Sequence, residues 1–501
     1  MNILIIVSCL IIITILLKII EIKKNKRLYK LLKQFPSYFA YPLIGNLNLL
    51  YGPVDDLLAR IEKLMQPHER LLFWLGPIPC LFVKKYDDIM TILTLSQDRD
   101  TLELGNEWSG MGIINARYHE WKKSRRMLAP AFTSQMLSKY VNVFNKKSSN
   151  LVEKLKAVAD SGKVVDIRDY IVNANLDIII ENTVGISIHG SGKIGQIFCD
   201  ALLEALRGLP ERFISFWLQF GMIHSLYLKI TGKSDTIKQL RFLPTKVVKR
   251  DLYDFQNQTD KFNDAEASKT IIDLLIKGSQ QEPTFTETRI TDELLHVIGA
   301  GAETTALNVS FLMMMLATHQ DIQQKIFEEI SQLLGEDEEL TAEHLTDHLK
   351  YLEQCIKETS RMFSPVAVTS RRTHREYLLS DNTIVPANMF VLVFIHLVHY
   401  DNKLYKNPSK WDPEHFSEQA IAERPKGSSQ LTFGYGPRSC IGAKYALMSA
   451  KTQMVHILRN YHLSTDVEDF SIKNCSIDLC IRSKIGYPVK FTRRRSQNDD
   501  C

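Results

Sequence analysis

The residues best placed to do chemistry lie near the C-terminus, in the run Phe433-Gly-Tyr-Gly436-Pro-Arg438-Ser-Cys440-Ile-Gly442. It sets one cysteine in a glycine-rich turn, and the polar–apolar pattern from Ala443 to Leu458 predicts a helix starting just after it. A sulfur at a helix N-terminus meets the positive end of the dipole and inward-pointing N–H groups, which favour the thiolate. The thiolate is the form that ligates a metal. Gly436 permits a tight turn that brings backbone toward the sulfur, and Gly442 lets the helix lie close to a flat ligand. Arg438 is a permanent cation suited to a carboxylate on that ligand. The competing reading is a structural cysteine buried in a glycine turn.

Three further constellations bear on that choice. Leu294 to Ala317 is the longest apolar helical pattern in the body, yet it carries Gly299-Ala-Gly301-Ala-Glu303-Thr304-Thr305. A carboxylate in an apolar helix is costly without a partner or a task. The glycines predict a local opening into which a threonine hydroxyl can face rather than bonding back to its own turn. Alternatively this is a core helix with a satisfied acid, or, by length, a second membrane span. Trp121 and Arg125 lie four apart and share one face of a cationic helix. Glu358 and Arg361 are one turn apart on another helix, a spacing worth only tenths of a kcal/mol by itself.

The ten-residue pattern Phe-x-x-Gly-x-Arg-x-Cys-x-Gly resembles the haem-binding signature of the cytochrome P-450 family, and Ala300-Gly301-x-Glu303-Thr304-Thr305 resembles its oxygen-activation motif. The order of parts matches as well: an E-x-x-R helix, Pro365, Arg371, the element Trp411-Asp-Pro413-Glu-His415-Phe416, then the cysteine loop. The resemblance implies a mainly α (α+β) haem domain with small sheets. It makes Cys440 the axial thiolate of haem b, the ligation that favours O–O cleavage. Phe433, Gly436, Arg438 and Gly442 then cradle the cofactor, with Trp121, Arg125 and Arg371 toward its propionates. Glu303 and Thr304 become the acid and alcohol that relay protons during dioxygen activation. Glu358, Arg361 and His415 become scaffold for the cysteine loop; many relatives have arginine where His415 stands. The segment Trp-x-x-x-Arg-Arg-x-Leu-x-Pro-Ala-Phe after Trp121 is similar to the family-four clan of animal members. Some ω-hydroxylases of that clan attach haem covalently through a glutamate at the place of Ala300, a route closed here.

The chain has no GxGxxG nucleotide fingerprint. The resemblance therefore implies electrons from an NADPH-dependent flavoprotein reductase carrying FAD and FMN, and in some members from cytochrome b5. Lys122, Lys123, Arg126 and Lys444 are the expected docking cations. A haem-thiolate isomerase or dehydratase, and a non-catalytic haem sensor, are the rival classes. Retention of both Glu303 and Thr304 disfavours the first, and the oxygen motif with the N-terminal apolar run disfavours the second.

The elements that must position these residues can be read coarsely. At 501 residues, 45% apolar and 24% charged, the chain has ample material for a core, and a net charge of +5 does not argue for nucleic acid. Eight scattered cysteines without C-x-x-C pairs fit a reducing compartment. Residues 1–20 read as a membrane anchor: Ile3 to Ile20 as a helix spans roughly 27 Å, near the thickness of the endoplasmic reticulum bilayer. The lysines after it place the body in the cytosol. A cleaved signal peptide would want its charges before the apolar run. Residues 21–46 read as a basic, proline-containing linker, 47–494 as the catalytic domain and 495–501 as a polar tail. Leu72 to Val83 predicts two strands about Gly76-Pro77, Tyr86 to Leu95 a helix, Leu378 to Val398 strands with an Asp381-Asn382 turn, and Ile477 to Phe491 a final hairpin. By resemblance, Val366 to Thr369 and Ser476 to Leu479 point toward the substrate side.

Overall fold

The structure is a computed structural model. It describes residue 23 and most of 25–494; residues 1–22, 24, 43, 54–55, 100–105, 188–191, 216–217, 219–220, 258–269, 336–337, 426–429, 478–479 and 495–501 lie outside the description. The anchor, the tail and the end of the Ser476–Leu479 segment fall among the latter.

The apolar runs Arg70–Leu75 (β1) and Ile78–Val83 (β2) pair antiparallel across the Gly76-Pro77 turn, as their β-rich composition predicts. The helix Tyr86–Leu95 (α1) follows with the predicted bounds. Tyr118–Leu128 (α2) buries Trp121, Ser124, Met127 and Leu128 on one stripe. Val164–Asp166 forms β3, and Arg168–Val184 (α3) is buried nearly all round. A helix over Gly192–Ile214 leads to Gly221–Ile230 (α4) and Lys233–Gln256 (α5).

The central helix is Glu287–Thr318 (α6), capped by Thr286, whose hydroxyl accepts from the Arg289 N–H. Its apolar length is explained by burial inside the protein, so the second-span reading is not needed. It packs most extensively on α3 and also on Lys350–Met362 (α7) and Ala443–Asn460 (α8).

Val368–Arg372 (β4) and Phe390–Phe394 (β7) complete a four-stranded sheet in the order β1-β2-β7-β4, with β2 and β7 parallel. Between them Tyr377–Leu378 (β5) and Ile384–Val385 (β6) form the expected hairpin, Asn382 taking φ 65° at its turn. Beyond Phe394 the chain departs from the expected strand: Ile395–His399 is helical. The turn of helix delivers the His399 carbonyl to Arg361, which a continued strand would carry away. The C-terminal strands also rearrange. Cys475–Ile477 (β9) pairs with Ile481–Ser483 (β10), while Pro488–Arg493 (β11) lies between Tyr461–Ser464 (β8) and β3. The linker is anchored to the body, since Leu32 and Phe35 are buried and the Leu72 N–H donates to Pro36 O at 2.8 Å.

Candidate active site

The cysteine loop is built as the glycines predict. Gly434 and Gly436 take φ of 71° and 72°, the left-handed region open to glycine. A Cβ on Gly436 would stand 2.5 Å from Leu93 O of α1, so the close approach it permits is to that helix rather than to the sulfur. The Cys440 N–H donates to Phe433 O at 2.8 Å, closing the loop just before α8. A Cβ on Gly442 would sit 4.0 Å from the Cys440 Sγ, on the sulfur's side of the helix start.

Cys440 exposes its side chain, but to interior space. Burial pushes its thiol up, while the Gly442 N–H and the guanidinia of Arg125 and Arg99 pull it back. The helix start therefore does not suffice to make a thiolate, contrary to the simplest reading of the sequence. A Lewis acid bound at the sulfur would displace the proton.

Four guanidinia form one group by the cysteine loop: Arg125 and Arg99 act on the sulfur, and Arg438 and Arg371 are repelled by Arg99. Arg438 donates from Nε to Gln97 O and from Nη2 to Ala116 O, both at 2.7 Å, and lies 4.3 Å over the Trp121 ring. Arg125 donates to Ser439 O at 2.8 Å, on the face it shares with Trp121. Arg371 of β4 is held by Ser370 O and Thr369 Oγ1. Arg99, from the loop after α1, joins them unforeseen. In its Asp98-Arg99-Asp100 setting it reads as solvated surface, and no pattern in the sequence separates it from that.

Among the described residues none of these four arginines forms an ion pair with a carboxylate. Buried Arg99 Nε, Arg371 Nε and Arg438 Nη1 have no hydrogen-bond partner. Burial pulls Arg438 down to about 9, with repulsion from Arg99 adding to it. Burial likewise pulls Arg371 well below its ordinary value, helped by Arg99 and Arg438. Unpaired buried cations are expensive, and a ligand with two carboxylates would satisfy them. No group of three or more His, Cys, Asp or Glu that could hold a bare metal exists among the described residues. One sulfur and a cage of cations fit a metal that arrives inside an anionic macrocycle.

The central helix α6 is buried from Ile290 to Ala317 except at Gly299, Ala300, Gly301 and Thr304. Ala300 and Thr304 lie one turn apart, giving an uncharged stripe with a single hydroxyl. Three expectations are corrected here. The Thr304 hydroxyl does bond back to its own turn, donating to Ala300 O at 2.7 Å. Gly301 makes room for α3 rather than for a ligand, since a Cβ would meet Ile179 at 2.8 Å. Glu303 is not joined to Thr304. Its Oε1 accepts from Arg168 at 2.9 Å and Arg482 at 3.0 Å, tying α6 to α3 and β10, while its buried Oε2 has no partner. A residue one position along a helix points about 100° away, so the acid and the alcohol address different neighbours.

The scaffold node is separate and complete. Arg361 grips Glu358 with two bonds of 2.8 Å and reaches His399 O at 2.8 Å. His415 puts Nδ1 3.0 Å from Glu358 Oε1 and Nε2 2.6 Å from Lys406 O. Both ring nitrogens face acceptors, so His415 bridges Glu358 of α7 to the Lys406 carbonyl. Thr432 Oγ1 donates to Ser360 O at 3.2 Å, linking α7 to the segment entering the cysteine loop.

A mainly helical body with a thiol beside a group of unpaired guanidinia fits a haem-thiolate enzyme. The family model described as "Cytochrome P450" matches residues 36–487, and the chain belongs to that family. Its relatives include family-four members from insects. Cytochrome P450 4g15 of Drosophila melanogaster is 25% identical over 542 residues, covering 94% of this chain and 93% of the relative. Cytochrome P450 4c3 of the same species is 26% identical over 499 residues, covering 94% and 91%. Cytochrome P450 4c21 of Blattella germanica is 26% identical over 454 residues, covering 88% and 90%. The protein is accordingly a haem monooxygenase, an oxidoreductase of a family whose haem has a cysteine thiolate ligand.

Proposed function

We propose that the protein inserts one oxygen atom of dioxygen into a C–H bond of a lipophilic substrate, a fatty acid, hormone-like lipid or xenobiotic, at the endoplasmic reticulum membrane. The observation that carries this reading is the Ala300–Thr304 stripe: the one opening in a buried apolar helix, uncharged and bearing one hydroxyl. Haem, held by Cys440 and by Arg99, Arg125, Arg371 and Arg438 toward its carboxylates, supplies the activation of dioxygen. Electrons come from an NADPH-dependent flavoprotein reductase. NADPH consumption with that reductase, measured against a lipid panel, tests the assignment. Substrate conversion without NADPH would favour an isomerase, and neither activity would favour a sensor.

Thr304 manages protons in this scheme. Its donor is engaged by Ala300 O, which leaves its lone pairs free to accept from a water in the notch. Thr304→Ala removes that acceptor with little change in packing. Haem content is expected to survive, product per NADPH to fall about a hundredfold, and hydrogen peroxide to rise. Unchanged coupling would remove Thr304 from the mechanism.

Of the four expected docking cations, two are already engaged: Lys123 and Arg126 lie 3.6 Å and 2.9 Å from Glu282. Lys122 and Lys444 are exposed and form no ion pair among the described residues. Reversing both (Lys122→Glu, Lys444→Glu) should slow reductase-driven turnover severalfold, more at low salt, and spare peroxide-driven turnover. Equal loss in both assays would point to damaged folding.

Membrane residence has support beyond the N-terminal run. Met222, Ile223, Leu226 and Ile230 project from one face of α4, Met222 being 89% exposed, and Phe39, Tyr41 and Tyr51 are exposed in the linker region. Removing residues 1–20 is therefore expected to leave the protein peripherally bound to vesicles. Adding Met222→Glu and Ile230→Glu should release it. A truncated protein that is freely soluble without those changes would exclude α4 as a lipid contact.

A further inference from the structure

Among the described residues, Arg438 is the cage arginine held by two backbone carbonyls from separate segments, Gln97 O and Ala116 O. The second belongs to the loop Gly110–Ala116, which has no strand or helix to hold it. Three of its backbone donors are taken instead by side chains of α6, while the Gly112 N–H donates to Asn115 Oδ1 at 3.0 Å. The Met111 N–H donates to Asp292 Oδ2 at 2.9 Å, the Ile113 N–H to Glu293 Oε2 at 2.8 Å, and the Ile114 N–H to His296 Nδ1 at 3.1 Å. His296 Nε2 in turn lies 2.8 Å from Ser109 Oγ. Burial pushes the His296 ring down to about 3, so it stays neutral, accepting at Nδ1 and donating at Nε2.

The fit between loop and helix is tight. A Cβ on Gly110, at φ 70°, would stand 2.1 Å from the Asp292 carboxylate, and one on Gly112 would stand 2.7 Å from the His296 ring. From Gly112 the loop closes on itself, Gly112 O accepting from Ala116 N at 2.9 Å, and this turn presents Ala116 O to Arg438. Asp292 also accepts from Arg241 of α5 at 2.6 Å. A guanidinium held by carbonyls goes where the backbone puts it.

We infer that Asp292, Glu293 and His296 are positioning residues for Arg438: by standing in for secondary structure along Gly110–Ala116, they set the Ala116 carbonyl and so aim the free Nη1 of Arg438 at the haem carboxylates. The inference rests on the reading that the arginine cage holds haem. Three side chains two turns up the central helix thereby act on cofactor retention without touching the cofactor. The same loop also offers Ile114 O to Arg99 Nη1 at 3.5 Å, but its short bond to the cage, Ala116 O at 2.7 Å, ends at Arg438.

The experiment measures the rate at which haem leaves the full-length holoprotein for an excess of apomyoglobin, a readout independent of turnover. Arg438→Leu should speed loss about tenfold, the scale of one charge-assisted hydrogen bond. His296→Leu, which removes the acceptor for Ile114 N–H without leaving a buried charge, should speed it severalfold. His296→Gln, whose amide oxygen can still accept, should restore most of the original rate. In the double variant His296→Leu/Arg438→Leu, the rate should stay close to that of Arg438→Leu alone and well short of the product of the two effects, because both changes act mainly through the Ala116 carbonyl. If Arg438→Leu itself leaves haem loss unchanged, the cage reading fails. If it speeds loss but His296→Leu does not, or if the two effects multiply, the positioning role is overturned. Should His296→Leu not fold, Asp292→Leu in the same cycle decides by the same criteria.

Discussion

Replacing Arg361 with leucine is expected to cost about 3–5 kcal/mol of stability, the range for breaking a buried ion pair from one side. Its partner Glu358 is fully buried and, among the described residues, would keep hydrogen bonds only with His415 and the Asp412 N–H, at 2.9 Å. The carbonyl of His399 would lose its donor at the same time. A net stability of about 5–15 kcal/mol is typical of folded proteins, so such a loss removes much of the margin. The damage should appear first in the cysteine loop, because α7 meets the segment entering it at Thr432 and Ser360. Glu358→Gln is expected to cost about as much, since it leaves the buried Arg361 without its anion and turns an amide NH2 toward one of the node's donors. The measurement is thermal unfolding of the two variants together with haem recovered per protein. Arg361→Leu with an unaltered midpoint and full haem would show that the node is not the scaffold its burial indicates.

The parts of this fold legible in the sequence are those where one local rule dominates. The antiparallel pair Arg70–Leu75 and Ile78–Val83 follows from β-rich composition about a Gly-Pro turn, and α1 from its spacing of apolar residues. The apolar length of α6 signals a central position, although length alone also allowed a membrane span; only packing against α3, α7 and α8 decides that. Ile395–His399 shows the opposite case. Its residues suit a strand, yet the chain turns to bring a carbonyl to Arg361, a demand set by a residue far away in sequence. The site divides in the same way. Cys440, Arg438, Trp121, Arg125 and Arg371 could be named because the loop pattern and order of parts carry them. Arg99 could not, since a charged residue among charges has no local mark of burial. Glu303 was legible as costly and in need of a partner, but Arg168 and Arg482 could not be read as those partners, because ion pairing across a fold leaves no trace in spacing.

Cys440→Ser is expected to abolish the red-shifted Soret band of the reduced, carbon monoxide-bound protein and to take monooxygenase turnover with it. A serine hydroxyl is nearly isosteric, so the loop geometry set by Gly434, Gly436 and the Cys440 N–H should persist. What changes is the ligand, from a polarisable sulfur to an oxygen that gives up its proton far less readily. The pH dependence separates these effects. Burial holds the Cys440 thiol above its ordinary value, so across neutral pH the free site carries the proton. Ligation must release that proton, and haem affinity should weaken about tenfold for each unit the pH is lowered. The sign follows from the direction of the shift: a raised thiol favours the protonated, unligated form as pH falls. Between about pH 6 and 8, where carboxylates stay ionised, the slope should belong to the thiol. In Cys440→Ser the slope should flatten, while the arginine cage still retains some haem by its carboxylates. A serine variant that keeps both the band and the slope would place the ligand elsewhere and undo the assignment of the site.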